Sequence, residues 1–240
     1  MNEKEQKKNV MHQPIDRLGF LKMSGVALAS TAIILAGCKK KSSPQPEPEP
    51  TPVTPSNVVD LGSGDIGVLN YAYALEQLEA AFYTQVMATP FSGMTAQETQ
   101  ILGDLKLHEI AHRDFLKAAL GTSAIIGLTP NFGSINFTSR ASVLGTAKAF
   151  EDLGVSAYNG AGKLFVDPNF LLIAGKIVSV EARHASAIRD LLNPNSADFA
   201  GDDVVSVSQG LDVARTPAQV LAIAGTYITN QIDASHLPTN

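Results

Sequence analysis

The sequence predicts an all-α fold: a four-helix bundle with one long crossover and a short fifth helix. In four segments the apolar residues recur at three- and four-residue steps, the period of a helix with one buried face. No stretch sustains period-two alternation of strand-type residues. The links between the four segments run short, long, short, so the outer pairs are antiparallel hairpins and the middle link is a crossover.

The elements follow from their punctuation. The first helix is expected from about Asp65 to Met87. The second begins after Thr95, where Glu98 completes a Thr-x-x-Glu capping box, and ends near Gly121. The third runs from near Ser139 to about Val166. The fourth opens on Asp167-Pro168, a capping residue followed by a proline at the first helical position, and stops before Asn193-Pro194. The fifth starts at Thr216-Pro217, with Gln219 in the capping position, and runs to about Asn230. About eighteen residues separate the second and third helices; at roughly 3.3 Å each they suffice to cross the length of a bundle.

Ahead of the helices lies a different kind of sequence. Residues 1–22 carry Lys4, Lys7, Lys8, Arg17 and Lys22, and an apolar run from Val26 to Leu35 ends in Leu35-Ala36-Gly37-Cys38. That run is short for a membrane span, and the order of basic front, apolar middle and small residues before a cysteine resembles the signal peptide and lipobox of bacterial lipoproteins. The resemblance implies cleavage before Cys38, lipidation of its thiol, and a membrane partner at the bacterial cell envelope, with the folded part in the periplasm or outside the cytoplasmic membrane. Asp16-Arg-Leu-Gly-Phe-Leu-Lys22 also resembles a twin-arginine export motif in which Leu18 replaces the second arginine. The following Lys/Ser and Pro/Glu stretch favours extended polyproline geometry and has little apolar surface to bury. The expected organisation is a leader at 1–37, a stalk at 38–57 and a helical domain at 58–240. Cys38 is the only cysteine, so no disulfide forms within one chain. The net charge of −5 gives no basis for nucleic acid as a partner.

Chemistry enters through the inward stripes. On the second helix the stripe reads Leu102, Leu105, Glu109, His112, Leu116, Leu120, and on the fourth Ala174, Ile177, Glu181, His184, Ile188, Leu191. The first helix places Glu76 and Tyr83 in line with Leu69 and Ala72. The third places Glu151 and Tyr158 in line with Leu144, Ala147 and Phe165. The halves repeat: Glu76 and Tyr83 match Glu151 and Tyr158, and Glu109-Ile-Ala-His112 matches Glu181-Ala-Arg-His184. Ionised carboxylates in an apolar interior each cost several kcal/mol unless compensated. Two divalent cations balance four glutamates, and two neutral imidazoles add ligands without charge. Oxygen-rich ligation with one histidine per ion suits iron or manganese. The candidate ligands are thus Glu76, Glu109, His112, Glu151, Glu181 and His184. Glu79, one turn from Glu76, is a further candidate, set against by its counterpart in the second half being Gly154. Tyr83 and Tyr158 are candidates for bonding to the ligands or, equally, for plain aromatic core. Asp104, Asp114 and Asp152 fall off the stripe and read as solvated.

Asn70-Tyr-Ala-Tyr-Ala-Leu-Glu-Gln-Leu-Glu-Ala-Ala-Phe-Tyr83, with the doubled Glu-x-x-His, resembles the ferritin-like superfamily, and more narrowly the ferritin-like family that includes bacterial envelope proteins and plant desiccation-related proteins. The resemblance covers about residues 65–192. It implies a ferritin-like bundle in which Glu109 and Glu181 bridge two metals, Glu76 and Glu151 are the single carboxylates, and each histidine binds one metal. Three functions are compatible with it: Fe(II) oxidation or reduction of oxygen or peroxide in stress protection, manganese-catalase-like peroxide dismutation, and a non-catalytic desiccation or stress role. Small oxidants or Fe(II) are the expected small-molecule partners, and a homo-oligomer is compatible with such a bundle. His108-Glu-Ile-Ala-His112 also matches the zinc metalloprotease pattern, with Glu109 as general base; that reading leaves Glu76, Glu151, Glu181 and His184 without a role.

Overall fold

The computed structural model describes residues 57–239. The expected leader, the lipidation site at Cys38 and the stalk up to residue 56 lie outside the described residues. Within them the fold is all-α: α1 (Gly64–Ala88), α2 (Ala96–Leu120), α3 (Arg140–Ala161), α4 (Pro168–Leu192) and a short α5 (Pro217–Ala224).

The caps form where the sequence places them. Thr95 accepts from the Glu98 amide while Glu98 accepts from the Thr95 amide, closing the capping box of α2. Asp167 caps α4 ahead of Pro168, and Thr216 with Gln219 closes a second box at α5. Two boundaries differ from expectation. The third helix leaves α geometry at Ala161, and Gly162–Leu164 tightens into a 3-10 turn. The reason is local: Asp65 of α1 accepts from the amides of Val166 and Asp167 at 2.8 and 2.9 Å, which draws this link out of the helix and onto the start of α1. The fifth helix ends at Ala224 because a 3-10 turn at Gly225–Tyr227 leads the chain into an extended segment.

That segment is β2 (Gln231–Asp233), which pairs in parallel with β1 (Val58–Asp60), Val59 opposite Ile232. Strands of three residues are too short to show a period of two, and sequence periodicity missed both.

Packing is close within the α1–α2 and α3–α4 hairpins, which meet through α1 against α3 and α2 against α4. Arg140, at the start of α3, donates to the Glu98 carboxylate at the start of α2 and to the carbonyl of Leu191 at the end of α4, at 2.5 and 2.7 Å. Three helix ends therefore meet at one end of the bundle. It follows that α2 and α3 start together, and that the link between them runs the bundle's length.

The crossover is fastened to α1. Asn70 donates to the carbonyls of Leu61 and Ser123 and accepts from the Ile125 amide. Two turns along, Gln77 accepts from the Leu128 amide at 2.8 Å. Further on, Phe82 is fully buried, with Phe132 and Phe137 of the crossover at ring-centroid distances of 6.0 and 5.9 Å and Phe150 of α3 at 5.1 Å. This covering explains why α1 is buried on nearly every face from Gly67 to Ala80, rather than along one stripe.

After α4 the chain folds back on the second hairpin. Arg189, only 2% exposed, donates to both carboxylate oxygens of Asp152 and of Asp203. A guanidinium leaves water at acceptable cost when its donors are met in this way. Asp152 is therefore not the solvated residue that its position off the stripe suggests; Asp104 and Asp114 are exposed, as expected. The same excursion passes Gly160 so closely that a Cβ there would lie 1.8 Å from the Arg215 carbonyl oxygen.

Candidate metal centre

Each helix of the bundle delivers its inward carboxylate to the same place. Glu76, Glu109, Glu151 and Glu181 are all 0% exposed, His184 is 3%, and the His112 side chain is 14%. They form two groups of potential ligand atoms. Glu76, Glu109, His112 and Glu181 make one; Glu109, Glu151, Glu181 and His184 make the other. Glu109 and Glu181 belong to both.

The atoms divide cleanly. In the first group His112 Nδ1 lies 3.4 Å from Glu76 Oε2, 3.5 Å from Glu109 Oε2 and 2.8 Å from Glu181 Oε1. In the second, His184 Nδ1 lies 2.7 Å from Glu109 Oε1, 3.5 Å from Glu151 Oε2 and 3.3 Å from Glu181 Oε2. The shared glutamates thus send one oxygen to each group. Despite these approaches, the eight atoms named here are buried without a partner in hydrogen-bond geometry. Buried polar atoms are normally paired, so eight orphans converging on two points are a fit for two cations, four donors to each. Metal–ligand bonds of about 2.1 Å set neighbouring donors about 3 Å apart, which matches the spacing.

The remaining carboxylate oxygens are occupied. Tyr158 of α3 donates to Glu76 Oε1 of α1, and Tyr83 of α1 donates to Glu151 Oε1 of α3, both at 2.5 Å. Each tyrosine therefore orients the single carboxylate of the opposite hairpin while packing as buried core. The carboxylate hydrogen bond and the aromatic packing, weighed as alternatives in the sequence, occur together in each tyrosine. Burial and the nearby carboxylate charges push both phenols well above their ordinary range.

Without metal, protons take up part of the charge. Burial opposes protonation of His112, yet Glu109, Glu181 and Glu76 push its imidazole up to about 12; Glu109, Glu151 and Glu181 do the same for His184. Burial works to raise Glu181, but the two imidazoles bring it down to about 2. Burial and the charge on Glu181 drive Glu109 well above the carboxylate range, and burial takes Glu151 up to about 7.

Glu79 stands apart. It is 4% exposed but belongs to neither group. Its carboxylate fills the space left by the missing side chain of Gly154, where a Cβ would meet Glu79 Oε1 at 3.0 Å. Around the two groups the core therefore holds five carboxyl groups, one more than the charge balance of the sequence reading counted. Burial, then Glu109, Glu181, Glu151 and Glu76, push Glu79 well above the usual range, which favours its neutral form.

His108 also finds a place that the sequence did not give it. Its Nδ1 lies 2.9 Å from Nε2 of His184, with the rings near parallel at 11°. The metalloprotease reading needs His108 and His112 on one ion, but the two groups contain His112 and not His108. A third group, Asp60 and Asp233 on the paired strands with His236 in the turn after β2, is exposed to half-buried and was not anticipated.

A helical bundle whose core gathers two shared carboxylate–imidazole groups defines a class of protein, the ferritin-like bundles. A sequence profile of the ferritin-like domain matches residues 64–194, which covers all four long helices, and the chain belongs to that family. No curated protein matches the chain.

Proposed function

We propose that this domain holds two divalent ions, iron or manganese, between the glutamate–histidine groups, and that it protects the cell envelope by oxidising Fe(II) or reducing oxygen or peroxide. The observation that carries the reading is the set of eight buried donor atoms without hydrogen-bond partners, which the shared carboxylates of Glu109 and Glu181 divide into four and four. Glu76, His112, Glu109 and Glu181 would hold one ion; Glu151, His184, Glu109 and Glu181 the other. When bound, such ions supply two electrons and open coordination positions for a small oxidant.

The chain's own residues set the conditions. Glu109 and Glu181 would each offer one carboxylate oxygen to each of the two positions. Tyr83 and Tyr158 hold the two single carboxylates in place by their second oxygens. Leu102, Leu105, Leu116, Ile177 and Ile188, all buried, keep bulk water from the carboxylates. Lipidation at Cys38 would fix the domain to a membrane surface, an arrangement that suits a scavenger of oxidants better than a closed storage shell.

Metal analysis of the full-length protein tests the reading. Two ions per chain are expected, and both are lost in Glu109→Ala and in Glu181→Ala, since each carboxylate serves both positions. Metal-free protein from cells grown with ample iron and manganese, taking up neither on addition, would sink it. Oxygen and peroxide electrodes then separate the chemistries: consumption coupled to Fe(II) oxidation supports the proposal, oxygen release from peroxide marks a manganese-catalase-like activity, and bound metal with neither marks a non-catalytic stress protein.

A further inference from the structure

Resting on the two-ion reading above, we infer that His108 is a positioning residue for His184 and that it makes the two metal positions unequal. His184 faces Glu109, Glu151 and Glu181 with Nδ1 and meets His108 with Nε2. An imidazole that gives its Nδ1 lone pair to a metal carries its proton on Nε2. The only role open to His108 Nδ1, at 2.9 Å, is then to accept that proton's hydrogen bond. The bond fixes both the tautomer and the ring orientation of His184, the two things that a metal-binding imidazole needs settled in advance.

The internal repeat shows why this support is one-sided. His108 precedes Glu109; the residue preceding Glu181 in the second half is Val180. A valine side chain has no atom to accept from an imidazole. His112 also keeps its side chain 14% exposed, against 4% for His184. The position served by His184 and Glu151 is therefore pre-arranged, whereas the position served by His112 and Glu76 must order its histidine as the ion arrives. The chain uses this device in place of the carboxylate or carbonyl that commonly holds the far nitrogen of a metal-binding histidine. It also accounts for the residue that the protease-like motif singled out.

Stepwise calorimetric titration of the full-length, metal-stripped protein with Mn(II), repeated anaerobically with Fe(II), tests the inference. The wild type should show two unequal steps. Glu151→Ala should remove the tighter step and Glu76→Ala the weaker. His108→Leu should weaken the tighter step by about tenfold or more and leave the weaker within about threefold. His108→Asn should restore it, because Asn Oδ1 occupies the place of His Nδ1 on Cγ. His108 is exposed, so every His108 variant should fold, and the metal-free circular dichroism spectrum of each should match that of the wild type. Two affinities that are unchanged in His108→Leu, or that fall together, overturn the inference and leave the two-ion reading standing. A wild type that takes up neither metal overturns both.

Discussion

Glu79 and Gly154 illustrate what a single pair of positions does in this core. The repeat makes them counterparts, and in space the absent side chain of one is the room that the other occupies. The upward shift favours the neutral form of Glu79 in the metal-free core, so Glu79→Gln, which replaces an acid with an amide of nearly the same shape, should leave stability near pH 5 within about 1 kcal/mol of wild type. The sign of the pH effect follows from the direction of the shift. A carboxyl whose folded pKa lies above its unfolded one binds more protons when folded, so stability falls as pH rises from the unfolded value toward the folded one. Denaturant midpoints of the metal-free protein should therefore drop from pH 5 to pH 8, and drop less steeply in Glu79→Gln; identical slopes would remove the neutral-acid assignment. At this scale the sequence was informative where residue types repeat. Glu76, Glu109, His112, Glu151, Glu181 and His184 are all in the two groups because helical spacing alone aims them inward. His108 and Arg189 were illegible because their partners, His184 and the Asp152–Asp203 pair, come from segments distant in sequence.

The elements most readable from sequence are the ones that carry their own end signals. Thr95 with Glu98, Asp167 with Pro168, and Thr216 with Gln219 satisfy local backbone groups with local side chains, so no tertiary knowledge is needed to place them. The crossover is the opposite case. Its route along α1 depends on Asn70 and Gln77, polar residues on a helix that reads as apolar, and on a ring cluster around Phe82. Phe82→Ala removes a fully buried ring touched from the crossover and from α3 alike. It should cost about 3–5 kcal/mol in denaturant unfolding, and the crossover should become the first segment cut in limited proteolysis. A loss below about 1 kcal/mol would show that the crossover is held by its backbone bonds alone.

At the scale of the whole molecule, the two-ion reading sets protons and metal ions in competition for one interior. His112 and His184, pushed up to about 12 by the surrounding carboxylates, each hold a proton that an ion must displace. A histidine with a raised folded pKa stabilises the metal-free fold most below its ordinary value, and that contribution is lost as pH rises toward 12. Melting temperature of the stripped protein should therefore fall between pH 6 and pH 9, while the gain on adding Mn(II) should grow over the same range, with protons released on binding and counted by calorimetry in buffers of different ionisation enthalpy. The all-α class was legible because four amphipathic segments dominate the chain, whereas the pairing of β1 with β2 was not, since it joins residues 58–60 to residues 231–233. That pairing has a consequence in time. A ribosome releases the chain from its first residue to its last, and every helix that brings a carboxylate to the two groups has been made by Leu192. The strand that clasps Val58–Asp60 comes about forty residues later, so the bundle can gather its carboxylates before the clasp exists, and the domain is sealed only when its final stretch has emerged.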